Sequence, residues 1–141
     1  MLKRVLIHSS LLMAFTMLFL FGQGQNFIGL HKDEIKTRVE HELSGFVFAK
    51  EIFNYDRSFI KFENTFEEQT LLFMLNAEGY CTSISRMYNT WMFNKIKQEL
   101  IEKYGKDKNQ KWAYKKDGKK YEIELVKGEW FVTVVTRNKK E

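Results

Sequence analysis

The pair Asp117-Gly118, set between two runs of alternating polar and apolar residues, constrains this chain more than any other feature. Asp-Gly favours a two-residue turn because both residues tolerate the positive φ that a tight hairpin needs. Closing the chain there sets Tyr114 opposite Tyr121 and Trp112 opposite Ile123. Lys127-Gly128 offers a second turn of the same length. It sets Leu125 opposite Trp130, Ile123 opposite Val132 and Tyr121 opposite Val134. Side chains alternate across a strand, so Trp112, Tyr114, Tyr121, Ile123, Leu125, Trp130, Val132 and Val134 then share one face. The other face carries Lys111 across from Glu124, Ala113 across from Glu122 and Lys115 across from Lys120, along with Phe131, Thr133 and Val135. The chain must hold an antiparallel sheet with an apolar side that another layer covers.

Upstream, the periodicity changes. Ile35, Val39 and Leu43 recur every four residues, beside a stripe of Glu34, Arg38 and Glu42, which predicts a helix over 29–43 with one narrow apolar face. Gly45 ends it. Residues 46–53, 58–64, 69–75 and 80–88 read as strands separated by clusters of turn formers. Leu71 to Leu75 is apolar on both faces, which marks an interior strand. A second helix is expected over 91–104, with Asn89 or Thr90 as its cap and Gly105 at its end. The fold class is therefore α+β: two helices on one face of a mainly antiparallel sheet, in the order α-β4-α-β3. Two α-plus-meander units, about 30–88 and 91–137, suggest a pseudo-repeat.

The first 24 residues have a different character. Lys3 and Arg4 precede an apolar run from Leu11 to Phe21, and Gly22-Gln23-Gly24 follows it. This is the layout of an export signal cut before Gln25, and the apolar run is short for a membrane span. The expectation is a signal peptide over 1–24, a single domain over 25–141, and a periplasmic or extracellular location. The alternative is an anchor formed by the same segment left uncleaved, which would be the chain's one membrane contact.

Charge is uneven along the mature chain. Residues 25–102 hold 9 basic and 12 acidic side chains, whereas residues 103–141 hold 12 basic and 6 acidic. The lysine-rich end invites a reading as an electrostatic binder of anionic lipid, polysaccharide or nucleic acid. Two points oppose nucleic acid: the aromatics among those lysines fall on the covered face, and an export signal directs the chain away from the cytoplasm. No nucleic-acid partner is expected.

Few residues could carry chemistry. Cys81 is the only cysteine, so no internal disulfide can form. A small hydrolase or thiol enzyme built on Cys81, paired with His31 or His41, is one alternative function. It needs a depressed thiol pKa that no neighbouring residue in the sequence supplies. His31 and His41 lie nearly three helical turns apart, too far to share a metal. Glu67-Glu68 falls in a turn, and a pairing such as Glu63 with Glu122 would have to come from distant strands. No catalytic residue, metal site or cofactor is assigned.

The stretch Gly29-Leu30-His31-Lys32-Asp33-Glu34-Ile35 resembles the start of the first helix in small exported envelope proteins. Their pattern is Gly, an apolar residue, Ser or Thr, two polar residues, an acid, then Val or Ile. It occurs in outer-membrane assembly lipoproteins of the BamE type and in β-lactamase-inhibitor-like domains. Here His31 stands where Ser or Thr is usual. The export segment, the helix-then-meander order and the basic tail also look like small secreted Bacteroidetes proteins of unknown function. The resemblance implies a non-enzymatic binding or assembly module whose partner is another envelope or secreted protein, or a second copy. The candidate contact residues are Phe131, Val135, Leu72 and Met74, on the sheet face that two helices on the other side leave open.

Overall fold

The computed structural model describes residues 24–140. The export segment read over residues 1–24 lies, apart from Gly24, outside the described residues. A 3-10 turn, Gly24–Phe27, leads to α1, Lys32–Glu42. Four strands follow: β1 Val47–Phe53, β2 Ser58–Asn64, β3 Gln69–Leu75 and β4 Cys81–Asn89. A second 3-10 turn, Thr90–Met92, enters α2, Phe93–Tyr104. The chain closes with β5 Lys111–Lys116, β6 Lys119–Lys127 and β7 Phe131–Asn138. The strands form one seven-stranded sheet in the order β1-β2-β3-β4-β7-β6-β5, antiparallel throughout.

Helix α1 starts at Lys32 because His31 caps it: its backbone is extended and its Nδ1 accepts from the Asp33 amide at 3.4 Å. The imidazole accepts the amide bond that a Ser or Thr side chain accepts at other helix starts. The preceding residues are not helical. They pair with the start of β4, where Gly29 donates to the Cys81 carbonyl at 2.8 Å and Cys81 donates to the Leu30 carbonyl at 2.9 Å. Ile35 and Val39 are fully buried on the sheet, each stabilising the fold by about 1.5–3 kcal/mol. Lys32 and Lys36 reach down to Glu51 on β1, Lys32 at 2.5 Å. A bulge between Phe48 and Lys50 turns Phe48, Glu51 and Phe53 to the helix side.

Two apolar clusters lie between the helices and the sheet. The first gathers Ile35, Val39 and Leu43 with Phe27, Ile60, Phe62, Leu71, Phe73 and Ile84. The second gathers Met92, Ile96 and Leu100 with Tyr88, Trp112, Ile123, Leu125, Val132 and Val134. Both helices therefore cover the same face, and β4 contributes to both clusters. Between them on β4 stands Arg86, buried. Its Nε and Nη2 donate to Gln69 Oε1 at 2.9 and 2.5 Å, and its guanidinium lies over the rings of Phe46 and Tyr88. Neutral acceptor and π faces hold a cation that burial alone would make very costly.

The first hairpin pairs as expected, Tyr114 with Tyr121 and Trp112 with Ile123, with φ positive at both Asp117 and Gly118. The second does not. Leu125 pairs with Val134, Ile123 with Thr136 and Tyr121 with Asn138. The turn residues are Glu129-Trp130, closed by a 2.8 Å bond from the Gly128 amide to the Phe131 carbonyl. Gly128 is needed for that close approach, because a Cβ there would sit 2.9 Å from the carbonyl oxygen. Each partner on β7 shifts by four residues, an even number, so each strand keeps its inward face. Trp112, Tyr121, Ile123, Leu125, Val132 and Val134 are buried and Tyr114 is half-buried. Trp130 is carried out into the turn and is exposed. Gly105 ends α2 as expected, with a positive φ, but the expected N-terminal caps fail. Asn89 makes no cap bond and instead donates to Glu68, while the 3-10 turn of Thr90–Met92 supplies the helix entry.

Candidate interaction surface

The face of the sheet away from the helices is built by register. Leu72 on β3 and Val135 on β7 both pair with Ser85 on β4, so the two apolar side chains flank one serine. Met74 pairs with Ser83 and, on its other side, with Phe59, which pairs with Ile52. Met87 lies between Thr70 and Thr133. Ile52, Phe59, Leu72, Met74, Met87 and Val135 are all half-buried, on the face opposite α1 and α2. Three of the four expected contact residues are thus neighbours. Phe131 is not among them. It pairs with Asn89 at the far end of β7, four residues from Val135, or roughly 13 Å along the strand.

Sequence reading missed Ile52, Phe59 and Met87. The alternation in β2 and around Met87 carries the signal for two of them. Ile52 was hidden because the bulge in β1 changes which residues face outward. Beyond β7 the same face turns ionic. Arg137 Nη2 donates to Glu122 at 2.9 Å and also to Glu124, and Lys111 stands 3.9 Å from Glu124. Glu63 and Glu122, the carboxylate pair considered from sequence, lie on strands four places apart, roughly 19 Å. Each is held by its own cation, Lys61 and Arg137. A glycosidase pair needs about 5–9.5 Å.

Cys81 is buried, its thiol donates to the Ser83 carbonyl at 3.5 Å, and burial pushes its pKa up to about 12. Burial therefore favours the thiol over the thiolate at neutral pH. His31 is engaged as the α1 cap and stacks edge-on against Tyr80 at 5.3 Å, while His41 is exposed at the other end of the helix. Among the described residues no group of three His, Cys, Asp or Glu side chains is placed to hold a metal ion.

The basic end is also organised by register. Lys115 faces Lys120 and Lys116 faces Lys119, like charges set directly opposite. Beside them a cleft of about 460 Å³ lies where Ile28 and Gly29 meet β4, β6 and β7, lined by Lys119, Arg137 and Lys140 and, among the described residues, by no carboxylate. Tyr104, Tyr114 and Tyr121 stack in a row nearby, with ring centroids 4.9 and 5.4 Å apart. Among the described residues no helix is long and apolar enough to cross a membrane. No family model, curated protein or solved structure matches this chain.

Proposed function

We propose that the chain is an exported, non-enzymatic binding module that holds another envelope or secreted protein against the open face of its sheet. The observation that carries the reading is the contiguous strip of Ile52, Phe59, Leu72, Met74, Met87 and Val135 on a face that neither helix covers. Half-buried apolar side chains gathered on one uncovered face are what a partner can desolvate. The Lys-Arg start, apolar run and Gly22-Gln23-Gly24 end support export. The protonated, buried Cys81 gives no support to a thiol enzyme.

We also read the chain as two α-plus-meander units. The strands β2-β3-β4 and β5-β6-β7 run outward in mirrored order from the central β4–β7 pair, which supports a pseudo-repeat. That arrangement fits the resemblance to exported α+β modules that bind rather than catalyse.

The test is a crosslinked pull-down from native envelope and medium with wild type and with Met74→Glu/Val135→Glu, identifying prey by mass spectrometry. Both substitutions fall on the open face, so far-UV circular dichroism should be unchanged. Wild type should recover a protein that the double variant loses. Recovery of the same prey by both would reject the open face as the binding surface, and a concentration-dependent dimer abolished by the substitutions would replace the foreign partner by a second copy.

A further inference from the structure

Four exposed aromatic side chains converge on one end of the sheet, from three loops that are distant in sequence. Phe66 lies in the β2–β3 turn, Trp91 in the 3-10 turn after β4, Trp130 in the β6–β7 turn, and Phe131 begins β7. They are 96%, 75%, 74% and 51% exposed. That they share one end follows from the pairing. Asn64 pairs with Gln69 across the first turn, Asn89 pairs with Phe131, and Asn89 donates to Glu68, which ties the first loop to the second. The first and third turns are centred three strand spacings apart, about 14 Å.

Single exposed apolar residues are ordinary, but two of the chain's three tryptophans and two phenylalanines at one end are not. Phe66, Trp91 and Trp130 project from turns and Phe131 from the first residue of β7, all exposed, so a rigid partner would need a separate pocket for each. A fluid interface receives them without such matching. Tryptophan is suited to that position, with an apolar body and one N–H for the headgroup layer.

Charge selects the kind of interface. Residues 65–68, 90–92 and 128–130 carry Glu67, Glu68 and Glu129, and the flanking cation Lys127 lies over the Phe93 ring. The facing lysine pairs of the β5–β6 hairpin are at the opposite end of the sheet. An anionic surface would draw the lysine end toward itself and turn the aromatic end away. We infer that Phe66, Trp91, Trp130 and Phe131 form a loop-borne anchor that dips into the headgroup region of a zwitterionic bilayer. This membrane contact is independent of residues 1–24 and of the open-face reading.

The experiment uses the full chain with phosphatidylcholine vesicles, with and without bromine-labelled acyl chains, and with vesicles containing phosphatidylglycerol. Trp91 and Trp130 should shift to shorter emission wavelength and be quenched by the bromolipid, while buried Trp112 should not. Trp91→Phe and Trp130→Phe single variants apportion the signal. The exposed-site variant Phe66→Ser/Trp91→Ser/Trp130→Ser/Phe131→Ser should keep its circular dichroism and bind phosphatidylcholine vesicles at least about tenfold more weakly. Binding of the wild type should not change with added salt. Three results would overturn the inference. The first is binding carried wholly by residues 1–24, seen as unchanged vesicle affinity of the quadruple variant with no quenching of Trp91 or Trp130. The second is binding that requires phosphatidylglycerol and is lost at high salt, which assigns it to the lysines. The third is the same emission shift from self-association without lipid.

Discussion

Beneath α1 the core is filled by phenylalanine and branched aliphatic side chains; beneath α2 it is closed by aromatic groups that keep a polar handle. In the first cluster Phe73 meets Phe27 at 5.2 Å and Phe62 at 5.8 Å between ring centroids, and no hydrogen bond fixes those rings. In the second, Trp112 Nε1 donates to the Gly105 carbonyl at 2.8 Å, which joins the end of α2 to β5. The difference follows from the helices. Helix α1 buries only Ile35 and Val39, so the first cluster recruits Phe27 from outside the helix and α1 is held to β1 by ion pairs. Helix α2 has a broader apolar face, with Phe93, Ile96, Leu100, Ile101 and Tyr104, and needs no such clamp. A narrow-faced helix must be fastened by something other than its own burial.

The largest expected effect breaks the first cluster. Phe73→Ala removes a ring that is almost fully buried and that touches two others, and should destabilise the protein by about 4 kcal/mol. Urea unfolding followed by circular dichroism measures it. A loss below about 1.5 kcal/mol would mean that Phe27 and Phe62 collapse into the space and that the cluster is not closely packed. In the second cluster, Trp112→Phe keeps an aromatic ring but leaves the Gly105 carbonyl without its donor. A loss of about 1–3 kcal/mol is expected. The same variant removes the one buried tryptophan, so its emission should be that of the exposed Trp91 and Trp130. Unchanged stability would show that water replaces the indole N–H and that the handle contributes nothing.

The contrast between the clusters also marks what could be read from sequence. Residue type and alternation decide which side of a strand faces inward. This parity survived an error in the second hairpin, because the partners on β7 shifted by four residues, an even number. What failed was decided by contacts across space. Trp130 looked like a core residue because it continues the alternation of Val132 and Val134, but the close approach of Gly128 to Phe131 shifts the turn and puts the indole in solvent. Asn89 looked like a cap, but Glu68 on the neighbouring turn competes for it. Of the candidate surface, Leu72, Met74 and Val135 were legible because each alternates with inward neighbours. Ile52 was not, because the bulge in β1 leaves no trace in the hydrophobic pattern. Convergence of Phe66, Trp91, Trp130 and Phe131 was out of reach, since it depends on which turns share an end of the sheet.

The smallest effects have opposite signs in the two halves, and this makes them the sharpest comparison. Hydrogen bonds from Lys32 and Lys36 hold the Glu51 carboxyl below its ordinary pKa, so its contribution to stability is present above the unfolded-state value and is lost as pH falls through the folded one. Burial on α2 moves Glu99 the other way: its ionised form is disfavoured in the folded chain, so it costs stability as the pH rises past the unfolded-state value and in full above the folded one. Glu51→Gln should therefore lower Tm at pH 7 and Glu99→Gln should raise it, each by about 2 °C. Both differences should shrink toward zero as the pH is taken below the carboxylate range, where wild type and variant alike are neutral at these positions. Thermal melts of the three proteins at pH 7 and pH 3 decide the matter. If Glu51→Gln lowered Tm equally at both, the contribution of Glu51 would come from packing under α1 and not from its charge. If Glu99→Gln lowered Tm at pH 7, the carboxylate would be serving as a partner for Lys95, and α2 would depend on an ion pair as α1 does.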